Sequence, residues 1–252
     1  MSSAKERSIQ HLGIKVRSLG KRFNREWIFR NLDYTFESSN IYAIIGPNGS
    51  GKSTLLQVLW GQLPQSTGDL SYPHSTGEVS VDDIFQHLAI ATPYLDLIEE
   101  FTLAEHLRFH FRLKQSRKGI QVDEMLDRLM LAGARDKHIA NFSSGMKQRV
   151  KLAIAFFSEA DLIFLDEPTT NLDKETKEWY HVQLQRLPSN CTIFIASNQP
   201  EEYPSHSKIL NILDFKWEKT LSWSVKVMNE MNHPGFFGFI SRYWRLTTTF
   251  SR

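Results

Sequence analysis

Cysteine occurs once in the 252 residues, at Cys191, so no disulfide can form within the chain. Folding must then rest on burial and hydrogen bonding, and a disulfide-framed secreted scaffold is excluded. The sequence has no uninterrupted apolar run long enough to span a bilayer. Its opening residues, Met1-Ser2-Ser3-Ala4-Lys5-Glu6-Arg7, lack the apolar core of a secretory signal. Neither sign of charge dominates: 30 Lys and Arg against 28 Asp and Glu leave a net charge of +2. That balance provides no field for a nucleic-acid partner. There is no internal repeat and no low-complexity tract. These absences make the cytoplasm the expected compartment. Apolar residues at 41% and charged residues at 23% are ordinary for a globular domain. Cys191 sits beside a β-branched run and reads as a buried, inert thiol.

The densest local signal is Gly46-Pro47-Asn48-Gly49-Ser50-Gly51-Lys52-Ser53, followed by Thr54. It matches G-x-x-x-x-G-K-[ST], the phosphate-binding P-loop. Ile41 to Ile45 is a short apolar run that reads as a buried strand, and Lys52 to Leu59 reads as the helix that follows. A glycine-rich turn with a chance lysine would not need that strand and helix; the motif does. The glycines let backbone N–H groups turn inward, and the helix N-terminus adds partial positive charge. Lys52 is then placed for the β- and γ-phosphates and Ser53 for Mg²⁺.

A second apolar run, Leu162 to Leu165, ends in Asp166-Glu167-Pro168. An acid at the carboxyl end of a buried strand is the Walker B arrangement, with Asp166 for the metal and Glu167 as general base toward water. Between the two motifs lies Phe142-Ser143-Ser144-Gly145-Met146. Ser143 stands just ahead of a helical pattern and is suited to be its N-cap. Ser143, Ser144 and Gly145 would form another anion site at a helix N-terminus. A second phosphate grip on a chain that already has one suggests two chains facing each other.

Taken together, these stretches resemble the ATP-binding cassette (ABC) ATPase family. The P-loop, Phe142 to Met146 as the signature, Leu162 to Glu167 as Walker B, and Asn171-Leu172-Asp173 as the D-loop carry the resemblance. It spans about residues 14–213. It implies an α/β fold: a P-loop NTPase core sheet with an antiparallel edge and an inserted helical subdomain. The ABC ATPase domain is expected over residues 1–228, its helical subdomain over about 94–153, and an aromatic-rich tail over 229–252. The resemblance further implies that Phe23 stacks on adenine and that Ser66-Thr67-Gly68-Asp69-Leu70 is the turn after the P-loop helix. Two chains would sandwich two ATP molecules with Mg²⁺, and hydrolysis would drive a separate membrane permease from the cytoplasmic face. The partners implied are that permease and a second ABC ATPase chain, identical or not. The absence of a long heptad insert argues against a DNA-repair cassette, and the single cassette against a translation-factor type.

The chain departs from the family at three places. The signature has Ser144 and Met146 where glycine and glutamine are usual. Asn198 follows the strand Cys191 to Ser197 where a histidine is usual, and asparagine donates a hydrogen bond without carrying a proton. Tyr94 falls where the Q-loop glutamine is usual, after the strand and turn His87 to Pro93. With Glu167 retained, either hydrolysis is slow or a different partner chain supplies a better second site. Two other functions stay open: a soluble ABC ATPase acting on a protein assembly, and an ATP-gated clamp with little hydrolysis.

Three helices are also expected. Thr102 to Glu105 is a capping box opening one of them, Asp123 to Leu131 is a second, and Lys174 to Leu187 a third ended by Pro188. His106 and His110 have metal-ligand spacing on the first, but no HExxH and no third ligand accompany them. They read as ordinary helix residues. Glu99 and Glu100 either support that helix N-terminus or meet the permease. Phe236, Phe237, Phe239, Tyr243, Trp244 and Phe250 are expected to cover the core or form an interface.

Overall fold

The computed structural model of the chain describes residues 12–216. The aromatic residues from Phe236 to Phe250 lie outside the described residues.

Among the described residues, nine strands form two sheets. β1 (Ile14–Phe23) and β2 (Glu26–Phe36) make an antiparallel hairpin. β3 (Ile41–Ile45) leads into α1 (Lys52–Leu59), matching the sequence expectation at both ends. β4 (Thr67–His74) pairs with the free edge of β1, and β5 (Gly77–Val79) with β4, giving the order β2-β1-β4-β5. β6 (Leu88–Ala91), β7 (Leu162–Asp166), β8 (Thr192–Ser197) and β9 (Lys208–Asn211) join β3 in a parallel sheet of order β6-β7-β8-β3-β9.

Helices cover that sheet: α2 (Leu103–Leu113), α3 (Val122–Arg128), α4 (Ser144–Phe157) and α5 (Lys174–Gln185). A parallel sheet buried on both faces needs apolar side chains at every position, and β7 is buried throughout. Strand alternation then sorts them. Leu162, Phe164, Tyr42 and Ile44 pack with α1 and the β1–β2 hairpin. Ile163, Leu165, Ile193 and Ile195 pack with α2, α4 and α5. Phe164 stacks on Phe194 at 4.6 Å between ring centroids, fastening β7 to β8.

The segment Ser66 to Leu70 differs from expectation. The turn after α1 is over by Ser66, and Thr67 already begins β4. Gly68 serves the strand instead of a turn: it has φ 81°, and a Cβ there would lie 2.3 Å from the carbonyl oxygens of Arg17 and Ser18. Only glycine lets β4 cross the irregular stretch of β1 between Arg17 and Gly20. The α3 helix also stops earlier than expected, at Arg128, and Met130 beyond it has φ 57°. The capping box holds: Glu105 N–H donates to Thr102 Oγ1 at 3.3 Å and Thr102 N–H to Glu105 Oε2 at 2.8 Å. The carboxylate accepts from Thr102 N–H and, at 2.9 Å, from Thr102 Oγ1, and these bonds keep it below its usual range.

Register brings the chemistry to one edge. Ile45 pairs with Ser197 and Asp166 with Ala196, so β3, β7 and β8 end side by side. Ligands of open parallel sheets bind at such carboxyl ends.

Candidate functional site

Three chain segments leave the sheet at that edge. The first, after β3, wraps back on its own lysine. Gly46, Gly49 and Gly51 all have positive φ, and at Gly51 (φ 104°) a Cβ would lie 2.4 Å from Ile28 Cγ2. Lys52 is 4% exposed and donates to the carbonyl oxygens of Gly46 at 2.9 Å and Pro47 at 3.3 Å. Pro47 also accepts from Ser50 N–H at 3.1 Å. The loop thus holds its open curve with the lysine inside it.

The second segment follows β7. Asp166 is 1% exposed, and its Oδ1 has no hydrogen-bond partner among the described residues. Burial pushes its carboxyl up to about 6; Glu167 adds to the rise, while Ser53 and Lys52 oppose it. A buried carboxylate oxygen left without a donor, beside a serine hydroxyl, is a hard oxygen donor set that fits Mg²⁺. Glu167 takes φ 45°, a conformation that costs a non-glycine residue energy and that clusters at functional sites. Its N–H still donates to Ala196 at 2.9 Å, which holds the turn against β8.

The third segment follows β8. Asn198 is exposed and donates through Nδ2 to Asn48 Oδ1 at 2.9 Å, tying the β8 exit to the P-loop. The Gln199 side chain makes no hydrogen bond to the loop among the described residues; its N–H donates to Ser197 Oγ at 2.8 Å. Around these segments lies a cavity of about 330 Å³ lined by Asn48, Gly49, Lys52, Ser53, Thr54 and Glu167, with Ile28 and Tyr94 at its sides.

Phe23 stands apart from this cavity's lining. It ends β1, is 44% exposed, and has Lys21 Nζ 5.0 Å from its ring. The signature residues are also outside the lining. Ser143 caps α4, accepting from Met146 N–H at 3.2 Å, and leaves the N-terminus of that helix facing outward with Ser144 exposed. Gly145 is pinned to the D-loop: a Cβ would lie 2.8 Å from Asn171 O. Gln148 Nε2 donates to Pro168 O at 3.0 Å, so the signature helix is fastened to the turn that carries Glu167.

Two residues that sequence reasoning passed over complete the edge. Ile28, from β2, supports Gly51 and lines the cavity. Glu202 is 1% exposed; its Oε1 accepts from Thr169 N at 3.0 Å and Thr169 Oγ1 at 2.5 Å. Its carbonyl also accepts from Tyr180 at 2.8 Å. It binds the segment after Asn198 to the turn after Asp166. A glutamate four residues beyond Asn198 was the only available signal, and nothing local marked it as buried.

The histidine pair behaves as helix residues. Burial lowers His106 and brings His110 down to about 4, and no group of metal-ligating side chains forms among the described residues. Glu99 pairs with Lys147 and so joins the α2 approach to the signature helix. Cys191 is buried, and burial raises its thiol.

Residues 29–170 match the ABC transporter family. The human retinal-specific phospholipid-transporting ATPase is 31% identical over 196 residues, which is 75% of this chain and 9% of that protein. An uncharacterised ABC transporter ATP-binding protein of Bacillus subtilis is 28% identical over 201 residues, 75% of this chain and 87% of that one. A sulfate/thiosulfate import ATP-binding protein of Synechococcus elongatus is 30% identical, over 75% of this chain and 57% of that one. Among solved structures, a putative ABC transporter ATP-binding protein from Pyrococcus furiosus superposes with TM-score 0.68 at 19% identity, covering 81% of this chain and all of that one. A bacterial Atm1-family ABC exporter with ATP bound gives the same TM-score at 18% identity, over 81% of this chain and 38% of that one.

Proposed function

The chain belongs to the ABC transporter family of ATP-binding domains, and from that premise we propose that it binds and hydrolyses Mg-ATP to drive a separate membrane permease. The observation that carries the reading is one cavity lined by Lys52, Ser53 and Glu167, with the buried Asp166 next to Glu167 at the end of β7 and beside Ser53. Lys52 exchanges its two loop carbonyls for the phosphate oxygens, a charge-assisted replacement in a desolvated place. Ser53 and Asp166 would hold the Mg²⁺, which neutralises developing phosphate charge when bound. Glu167 accepts a proton from the attacking water. Asn198 orients that end of the site by donating a hydrogen bond, without taking up a proton.

A second chain completes the site. Ser143, Ser144 and Gly145 are outside the lining of their own chain's cavity, with both serines exposed at a helix N-terminus of the kind that binds anions. Each ATP would lie between one chain's P-loop and the other's signature. Closure of the pair is then transmitted along residues 94–98. Tyr94 borders the phosphate cavity, and the next residues, Leu95 to Ile98, line an apolar groove of about 340 Å³. Phe85 and Leu113, 65% and 76% exposed, stand at that groove. An apolar element of the permease would seat there, with the protein on the cytoplasmic face. No described helix is long and apolar enough to cross a membrane itself. The catalytic domain is proposed for residues 1–228, its helical subdomain for about 94–153.

The test is ATPase rate against protein concentration for the chain and for Glu167→Gln. A rate that climbs faster than linearly and drops at least ~100-fold in Glu167→Gln supports a self-completing pair. ATP binding with no hydrolysis at any concentration rules out self-completion and favours the clamp or a mixed pair. Leu113→Asp with Phe85→Asp should release the chain from membranes without changing ATP affinity.

A further inference from the structure

At the C-terminal ends of α4 and α5 lies a cleft of about 160 Å³, between residues 117–120 and the last turn of α5. Gln183 lines it and is 4% exposed, yet its side-chain amide has no hydrogen-bond partner among the described residues. The amide opens onto the cleft, so a ligand entering it can supply the partner that the protein does not. The cleft walls also carry charge. Arg128 is paired with Glu124, but Lys118 and Arg186 have no ion pair among the described residues.

Two helices end here, α4 at Phe157 and α5 at Gln185, and helix C-termini carry partial negative charge that cations answer. For α4 that answer is Arg117, whose guanidinium donates to Ser158 O at 2.9 Å and to Phe156 O and Ala160 O at 3.3 Å. Arg186 is the C-cap of α5 and answers that end while staying exposed at the cleft, and Lys118 stands in excess of what the two helix ends require. The remaining wall, Ile120, Phe156 and Leu187, is apolar.

We propose that this cleft binds a small organic carboxylate with an apolar body. Lys118 and Arg186 take the carboxylate, Gln183 Nε2 donates to it, and the body lies on Ile120, Phe156 and Leu187. A space of this size matches a benzene-sized group, which makes benzoate a fitting probe. The bound molecule would join the turn that follows α2 to the end of α5, and so tie two parts of the ATPase domain from outside the nucleotide site. The binding does not depend on ATP or on a permease.

The full-length chain, with its glutamine side-chain amides isotope-labelled, is titrated with benzoate and followed by NMR. A saturable shift of the Gln183 amide is expected, with Kd on the order of 1 mM for a ligand of this size. Gln183→Met keeps the shape and removes the amide, and should weaken binding about tenfold, the loss of one hydrogen bond to a charged group. Arg186→Ala, on the exposed rim, should weaken it about fivefold without affecting folding. Inorganic phosphate should bind more weakly than benzoate, having no apolar body. No saturable shift at ten times the expected Kd, or unchanged affinity in both variants, overturns the site. Phosphate binding as tightly as benzoate overturns the apolar part of the assignment.

Discussion

Lys52, which lines the candidate phosphate cavity, and Asp166, beside Ser53 at its floor side, are 4% and 1% exposed, whereas Tyr94 on the rim is 71% exposed and Asn198 stands in solvent beside Asn48. The floor residues match the family pattern and the rim residues depart from it. Burial explains the contrast. A charged group in a dry pocket can be replaced only by one that satisfies the same partners, because an unpaired buried atom is costly. A rim residue exchanges water for a ligand contact, and several polar side chains do that at similar cost. On the proposed function, the chain keeps the residues that would hold phosphate and varies those that would sense it.

Removing the floor should have the largest effect. Lys52→Ala leaves Gly46 and Pro47 carbonyls facing the phosphate with no cation between them. ATP affinity should fall by at least ~100-fold, the loss of a charge-assisted bond at ~3 kcal/mol. Equilibrium binding of a labelled ATP analogue decides it, and wild-type affinity in Lys52→Ala would overturn the floor assignment.

Asp166 gives the next effect and fixes its sign. Its folded pKa, near 6, lies above the ordinary carboxylate value. The folded state therefore holds a proton that the unfolded chain releases. Without metal, this favours the fold below the unfolded pKa and is lost as pH rises through about 6. Asp166→Asn should then gain ~2 kcal/mol over wild type on going from pH 4 to pH 7.5, two pKa units at 1.36 kcal/mol each less some relaxation. Denaturant melts in the presence of a chelator measure this. Mg²⁺ should stabilise wild type at pH 7.5 and leave Asp166→Asn unmoved; equal stabilisation of both would remove Asp166 from the metal site.

The same contrast divides what could be read from the sequence. The P-loop strand and helix, the acid at the end of β7 and the Thr102 cap are set by residues within a few positions of each other, and period and spacing disclose them. The supports are not local. Asn48 meets Asn198 across 150 residues, Glu202 meets Thr169 across 33, and Ile28 reaches Gly51 from another sheet. Gly68 misled for the same reason. Its left-handed conformation resembles a turn signal, and only the approach of Arg17 and Ser18 shows that a strand requires it. Gln183 was invisible because an amide on a helix is ordinary until its burial and missing partner are seen.

On the rim, Asn198→His tests whether the altered sensor limits turnover. The imidazole can accept and return a proton near neutral pH, which the amide cannot. It also gives up the 2.9 Å bond to Asn48, a solvent-exposed link worth at most ~1 kcal/mol. The first effect should win, raising the hydrolysis rate about tenfold with ATP affinity changed by less than threefold. An unchanged or lower rate would mean that the cavity has been rebuilt around asparagine.

The smallest effect belongs to Tyr94. It is mostly in solvent, so Tyr94→Gln should alter stability by less than ~0.5 kcal/mol. The amide is shorter and carries both a donor and an acceptor, where the phenol must reach the phosphate with one hydroxyl. Hydrolysis should rise about threefold, one modest hydrogen bond better placed. The more telling readout is the coupling. Tyr94 borders the phosphate cavity while Leu95 to Ile98 line the apolar groove, with Pro93 O held by Lys151 at 2.9 Å on α4. If this segment carries the nucleotide state to the groove, Tyr94→Gln changes the ATP-dependent solvent protection of residues 95–98 in hydrogen exchange. Identical protection in the two proteins, with and without ATP, would confine Tyr94 to the rim and require another route from cavity to groove.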